Sequence, residues 1–250
     1  MKLNPDKCHL LMSGFKHEVS FVKLSSNVIW EEKEVRLLGV TLDRHMKFDT
    51  HISNICNTAN RKLCALMRLA KVLSFEKKRL LFKTFFESQF NYCPLVWMLH
   101  SRKSQNKINA LHERALRFLY SDYISTYDTL LEKDHSRSVH DRNIQALAVE
   151  IYKYLNNLSS IFEGIFTPNY HRYNLRTDNN LALPSIHTTS YGEQSLKYLG
   201  PLLWNIVPAY MKQASCLSDF KSLIKTWKPV NCPCRCCKDY IANVGFMSIL

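Results

Sequence analysis

The sequence predicts an α+β chain dominated by helices, and three observations carry that expectation. Up to about Asp43, short apolar runs alternate with turn residues, the pattern of strands. From Asp49 to Leu155, apolar residues recur at spacings of three and four, the period of amphipathic helices. With 46% hydrophobic and 22% charged residues over 250 positions, the composition is that of a chain that buries a core rather than staying disordered.

In chain order, CHLLMSG, VSFVKL, NVIW and VRLLGVTLD read as three or four strands, with Gly14, Ser25 to Asn27 and the EEKE run as turns. Ile52, Ile55, Ala59, Leu63, Leu66, Ala70 and Leu73 form one stripe of a long helix, which Asp49 is expected to N-cap. Ser74 is expected to cap a second helix reaching Phe86, with Glu76 in its first turn, where a carboxylate suits the helix dipole. A third helix runs from about Lys103 to Leu119 and a short helical piece spans Tyr127 to Glu132. Ile144, Leu147, Ala148, Ile151 and Leu155 mark a fourth long helix. From Pro168 to Ser190 the period fades, and NYHRYNLRTDNN reads as a linker rich in Asn and Arg. Two last helices follow, Ser195 to Val207 and Leu217 to Trp227, with Gly200-Pro201 breaking the first and Pro208 ending it. The expected divisions are residues 1–48, a helical bundle over 49–157, a smaller C-terminal helical module over 158–228, and a Cys-rich, poorly ordered tail over 229–250.

Thirty-four Lys and Arg against 21 Asp and Glu leave a net charge of +13, which points to an anionic partner such as nucleic acid. Residues 61–120 alone hold thirteen basic and three acidic side chains, or 13 − 3 = +10. Within them Lys103, Lys107, Arg114 and Arg117 fall on one helical stripe about 21 Å long, at about 1.5 Å per residue. Arg61, Arg68 and Lys71 lie opposite the apolar stripe of the first helix. Such rows neutralise several phosphates without reading bases. A solvated helix face is the competing reading, because a helix that buries one side must hydrate the other.

The most apolar window, Phe90 to Leu99, is too short to span a bilayer and is interrupted by Pro94, so no membrane is expected. The start lacks an apolar signal core, and nine cysteines, an odd number, make a poor extracellular disulfide framework. An intracellular chain with reduced thiols is expected. Cys232-Pro-Cys234-Arg-Cys236-Cys237 puts four thiols into six residues, which do not easily converge on one ion. Cys216 and His187 are conceivable extra ligands that no spacing rule selects, so the expectation is of no metal site. His112, His140 and His171 have surface or core explanations ahead of catalysis. No nucleophile elbow, P-loop, GxGxxG or HExxH occurs, and no aspartates are adjacent, so no catalytic residue is expected.

Several segments together resemble the C-terminal portion of reverse transcriptases of non-LTR (LINE-type, jockey-like) retrotransposons. MKLNPDKCHLLMSG is similar to the stretch after the catalytic aspartate pair, where the palm continues into a strand. VRLLGVTLD followed by HISNICNTANRKLCALMRL resembles the primer-grip hairpin and first thumb helix. FNYCPLVWMLHSR, INALHERALRFLY, YNLR, YLGPLLWNIVP and CPCRCCKDYIANVGF are similar to the later part of such reading frames, so the resemblance covers nearly the whole chain. In that tail Cys236 stands where relatives more often have an apolar residue, and no CCHC knuckle or nuclease signature follows the thumb.

The resemblance implies remnant palm β-hairpins, then a thumb-like helical bundle and a smaller C-terminal helical module. It implies Leu38, Gly39 and Val40 at the primer grip, and Arg61, Arg68 and Lys71 on a thumb that clamps template–primer duplex. The parent family is an RNA-directed DNA polymerase using magnesium held by palm aspartates. Those ligands would precede Met1, so the expectation is a truncated, non-enzymatic fragment with no cofactor. Its remaining capacity would be sequence-independent binding of RNA–DNA or other duplex. The alternatives are a protein-interaction scaffold using apolar faces around Phe82, Phe85 and Phe86, and an inert mobile-element relic.

Overall fold

The structure, a computed structural model, describes residues 4–13, 20–24, 26–169, 180–188, 191–229, 232–234 and 237. It is α+β and mostly helical, with about 53% of residues in helix and two small antiparallel hairpins. The chain forms two compact units, residues 1–93 and 94–250, a division that falls inside the 49–157 stretch expected as one bundle.

In the first unit, β1 (Phe21–Leu24) pairs with β2 (Asn27–Trp30), and β3 (Glu34–Leu37) pairs with β4 (Val40–Asp43), both antiparallel. CHLLMSG does not form the expected strand: its Leu10 makes only a single-residue bridge to Glu31, and Gly14 lies outside the described residues. Leu38 and Gly39 connect β3 to β4 with φ of 46° and 85°. Two positive φ values in a two-residue loop are the type I′ geometry that matches the twist of a hairpin.

Helix α1 (Asp49–Leu69) is not capped by Asp49, which is its first helical residue; Phe48 takes the N-cap position with φ 60° and no side-chain cap. The carboxylate that orders this entry is Asp43. Its Oδ1 accepts from the amides of His45 (3.0 Å) and Lys47 (3.1 Å), and its Oδ2 accepts from that of Phe48 (2.6 Å). Of the expected stripe, Ile52, Ala59, Leu63 and Leu66 are buried, with Cys56 beside them; Ile55 is half-buried instead, and Ala70 and Leu73 fall beyond the helix end. Ser74 sits at the N-cap of α2 (Phe75–Leu81) without a side-chain cap bond, and the α-helix stops before Phe86. A π turn (Phe82–Phe86) and a 3-10 turn (Glu87–Phe90) follow. They align three buried rings: Phe82 stacks on Phe86 at 5.2 Å, and Phe86 meets Phe90 edge-on at 5.5 Å.

The second unit contains α3 (Pro94–Trp97), α4 (Arg102–Tyr120), α5 (Tyr127–Asp134), α6 (Val139–Leu155), α7 (Leu196–Asn205), α8 (Ala209–Lys212) and α9 (Leu217–Thr226). Side chains of Ser101, Thr126 and Ser138 accept from the amide three residues on and so start α4, α5 and α6. The core gathers around α6, α7 and α9, where Tyr152 stacks on Phe220 at 4.3 Å and Trp204 lies 6.0 Å from the same ring.

Gly200-Pro201 does not break the helix as expected. Helix α7 runs through both, and a β-carbon at Gly200 would lie 2.4 Å from the ring of Phe166. The glycine is there to admit an aromatic ring. Pro208 starts α8 at its N-cap rather than ending α7, which stops at Asn205. Antiparallel bonds from Asn169 to Asn180 O (2.9 Å) and from Ala182 to Thr167 O (2.9 Å) join the ends of the expected linker, whose YNLR lies outside the described residues.

Candidate nucleic-acid interface and a cysteine–histidine cluster

The polar face of α1 and the β3–β4 hairpin enclose a cleft of about 670 Å³ in the first unit. Asn54, Asn57, Thr58 and Arg61 line it from α1, Arg36, Gly39 and Thr41 from the hairpin, and Ser88, Gln89 and Tyr92 from the segment after the π turn. Two guanidinium groups, three amides and four hydroxyls, with no carboxylate in the lining, give the cleft wall hydrogen-bond donors and positive charge. Tyr92 donates its hydroxyl to Leu38 O at 2.5 Å and so ties the hairpin turn to the cleft wall. His51 accepts the Thr41 amide on Nδ1 at 3.2 Å, which puts its proton on Nε2. Burial, then the neighbouring Arg36 guanidinium, lowers the His51 pKa and keeps the imidazole neutral.

The residues expected at the primer grip and thumb are distributed as follows. Gly39 and Arg61 line the cleft together. Leu38 is 82% exposed at the turn, whereas Val40 is buried and can offer only its backbone. Arg68 lies two helical turns beyond Arg61 and Lys71 just past the end of α1, both exposed. Arg36, which sequence reasoning missed, reaches the cleft from a strand, and only its pairing with Thr41 across the hairpin puts it there. The Asn54, Thr58 and Arg61 spacing on the polar side of α1 was a readable signal.

In the second unit, Lys103, Lys107 and Arg114 are exposed along α4. Arg117 is already engaged: its Nη2 lies 2.7 Å from Glu113 Oε1, and its Nη1 donates to Tyr123 O. Of the expected four-residue stripe, Lys103, Lys107 and Arg114 are thus exposed, and Arg117 is half-buried against Glu113. His112 is a core residue, with Nδ1 2.7 Å from the Tyr127 hydroxyl. Phe82 and Phe86 are buried within their own unit and only Phe85 of that trio is exposed, because the π turn rotates the other two inward. The expected apolar docking face is reduced to one ring.

The C-terminal cysteines converge on α6. Gln145 donates to Lys225 O (3.3 Å) and Trp227 O (2.7 Å), and Arg137 donates to Thr226 O (2.6 Å), so the chain leaving α9 lies along the start of α6. His140, in the first turn of α6, has Nε2 3.6 Å from Cys232 Sγ, 3.4 Å from Cys234 Sγ and 3.5 Å from Cys237 Sγ. The four donor atoms all lie within 4.8 Å of one another. The Cys237 amide donates to Cys234 O at 3.1 Å, a turn that brings both sulfurs to one side. Burial works to lower the His140 imidazole, but hydrogen bonds and charge from Cys234 and Cys237 outweigh it and hold the pKa at about 10. The sulfurs of Cys234 and Cys237, and then burial, push the Cys232 thiol far above its ordinary range.

Neither conceivable extra ligand joins this cluster: Cys216 Sγ caps α9 by accepting from the Asp219 amide at 3.5 Å, and His187 is exposed. Cys236 and His171 lie outside the described residues. No helix among the described residues is long and apolar enough to cross a membrane. Comparison with protein-family models, with curated proteins and with solved structures returns no match.

Proposed function

We propose that this chain is a non-catalytic fragment of a non-LTR retrotransposon reverse transcriptase that holds duplex nucleic acid, RNA–DNA or otherwise, without reading its sequence. The observation that carries the reading is the cleft beside the β3–β4 turn, where Arg36 and Arg61 stand among amides and hydroxyls and no carboxylate lines the wall. A phosphodiester backbone offers the charge and the acceptor oxygens that such a lining pairs with, and it offers them at every step of the strand. Arg68 and Lys71 extend the same positive character along and past α1, while Lys103, Lys107 and Arg114 give the second unit its own cationic helix face.

The parent family's two-metal chemistry needs convergent carboxylates, and the sequence has no adjacent aspartates to supply them. The magnesium of that family therefore has no assigned ligand in this reading. Fluorescence anisotropy with a labelled RNA–DNA duplex over a salt series tests binding. Affinity is expected to fall steeply with salt, and an Arg36→Gln/Arg61→Gln double variant is expected to flatten the slope of log K against log salt by about 2. Salt-insensitive binding, or a double variant with an unchanged slope, would overturn the assignment of the cleft. Primer extension with magnesium and dNTPs is expected to give no product, and measurable extension would overturn the non-catalytic reading.

A further inference from the structure

The cluster on α6 has the composition and spacing of a closed tetrahedral metal centre. Zinc binds thiolate sulfur at about 2.3 Å and imidazole nitrogen at about 2.0–2.1 Å. Tetrahedral geometry then separates each sulfur from the nitrogen by about 3.5–3.6 Å. The three sulfur-to-Nε2 distances, 3.6, 3.4 and 3.5 Å, sit on that value. Cys232 and Cys234 are buried, and His140 and Cys237 are half-buried, so the donors face one another rather than solvent. Three soft sulfurs and one imidazole select zinc over the hard cations, which take oxygen ligands.

We propose that His140, Cys232, Cys234 and Cys237 bind one structural zinc ion that fastens the C-terminal tail to the first turn of α6. Four protein donors fill the tetrahedron and leave no position for substrate, so the ion builds structure and carries no reaction. Binding changes no oxidation state: Zn²⁺ enters, the three thiols and the Nε2 of His140 give up to solvent the protons they hold, and three thiolates with one neutral imidazole leave the site with one net negative charge. Spacing along the chain does not find this site, because only three of its ligands are among the crowded cysteines. The fourth ligand instead stands 92 residues away, on a helix.

The test is zinc content and affinity of the full chain, purified under reducing conditions, measured by elemental analysis and by competition with a chromophoric chelator. One zinc per chain is expected. Cys234→Ser and His140→Ala are expected to weaken zinc by at least about tenfold, since removing even an outer-shell partner costs that much. His140→Cys, which substitutes another ligand, restores binding, and Cys216→Ser leaves it unchanged. Should the variants fail to fold, the parent chain loaded with Co²⁺ decides the matter by its spectrum. Tetrahedral bands with thiolate-to-cobalt charge transfer support the site. Absence of stoichiometric uptake, an octahedral spectrum, or a Cys234→Ser chain that binds zinc as tightly as the parent would overturn it.

Discussion

Asp43 shows how one side chain decides where a helix begins. Its carboxylate accepts the loop amides of His45, Lys47 and Phe48, and replacing it with alanine strands them. Asp43→Ala is expected to lower the stability of the first unit by about 1–2 kcal/mol, measured by urea denaturation, whereas Asp49→Ala at the first helical position is expected to cost less. Sequence reasoning chose Asp49 because it adjoins the apolar stripe. It missed Asp43 because an acceptor that reaches forward over a five-residue loop leaves no periodic trace. His51 and His100 make a second residue-scale prediction. Burial is the first cause lowering both, joined at His51 by Arg36, and the contacts of His100 to Trp97 O and Gln105 oppose it only in part. In the unfolded chain both imidazoles take up protons near pH 6.5; folded, they resist. Stability is therefore expected to be undiminished above that pH and to fall as pH drops below it through the lowered folded values, because the unfolded state binds more protons there. Urea midpoints measured between pH 7.5 and 5 check this, and NMR titration of the two imidazoles assigns it.

At the scale of elements, the long helices were legible from amphipathic spacing alone, which puts the third helix at about Lys103 to Leu119 against the observed Arg102–Tyr120; the Ser101 cap that starts it was not read, and the caps read at Asp49 and Ser74 make no side-chain bond. What was not legible depended on partners in space. The π turn that buries Phe82 and Phe86 inserts one extra residue into a helical period, and the Gly200-Pro201 pair reads as a break until the ring of Phe166 is set against it. The β3–β4 turn carries an unusual choice. A type I′ loop favours Asn-Gly, yet Leu38 occupies the first left-handed position, almost fully exposed. Leu38→Asn is expected to raise the stability of the first unit by about 0.5–1 kcal/mol, read as a shift in the urea midpoint. If the turn contacts bound duplex, the same variant weakens duplex affinity in the anisotropy assay, so stability and binding move in opposite directions.

For the whole molecule, the division at residue 93 separates two sets of basic side chains that run together in sequence, and the cleft belongs to the first set alone. The candidate site was half legible: Gly39 and Arg61 came from sequence, while Arg36 and His140 needed the fold, one across a hairpin and the other across most of the second unit. Removing zinc with a chelator is expected to raise amide hydrogen exchange within residues 94–250 and to leave residues 1–93 unchanged, measured by mass spectrometry. The placement of His140 opposite the tail also has a polymer consequence. An ion joining it to Cys232 closes a ring of 92 residues, and such a ring withdraws configurational freedom from the denatured chain as a disulfide of that span does, by about 4–5 kcal/mol in the chain-entropy model. The centre would then act as a staple over α7, α8 and α9, elements that hold no ligand of their own, and the stabilisation would vanish wherever zinc is scarce.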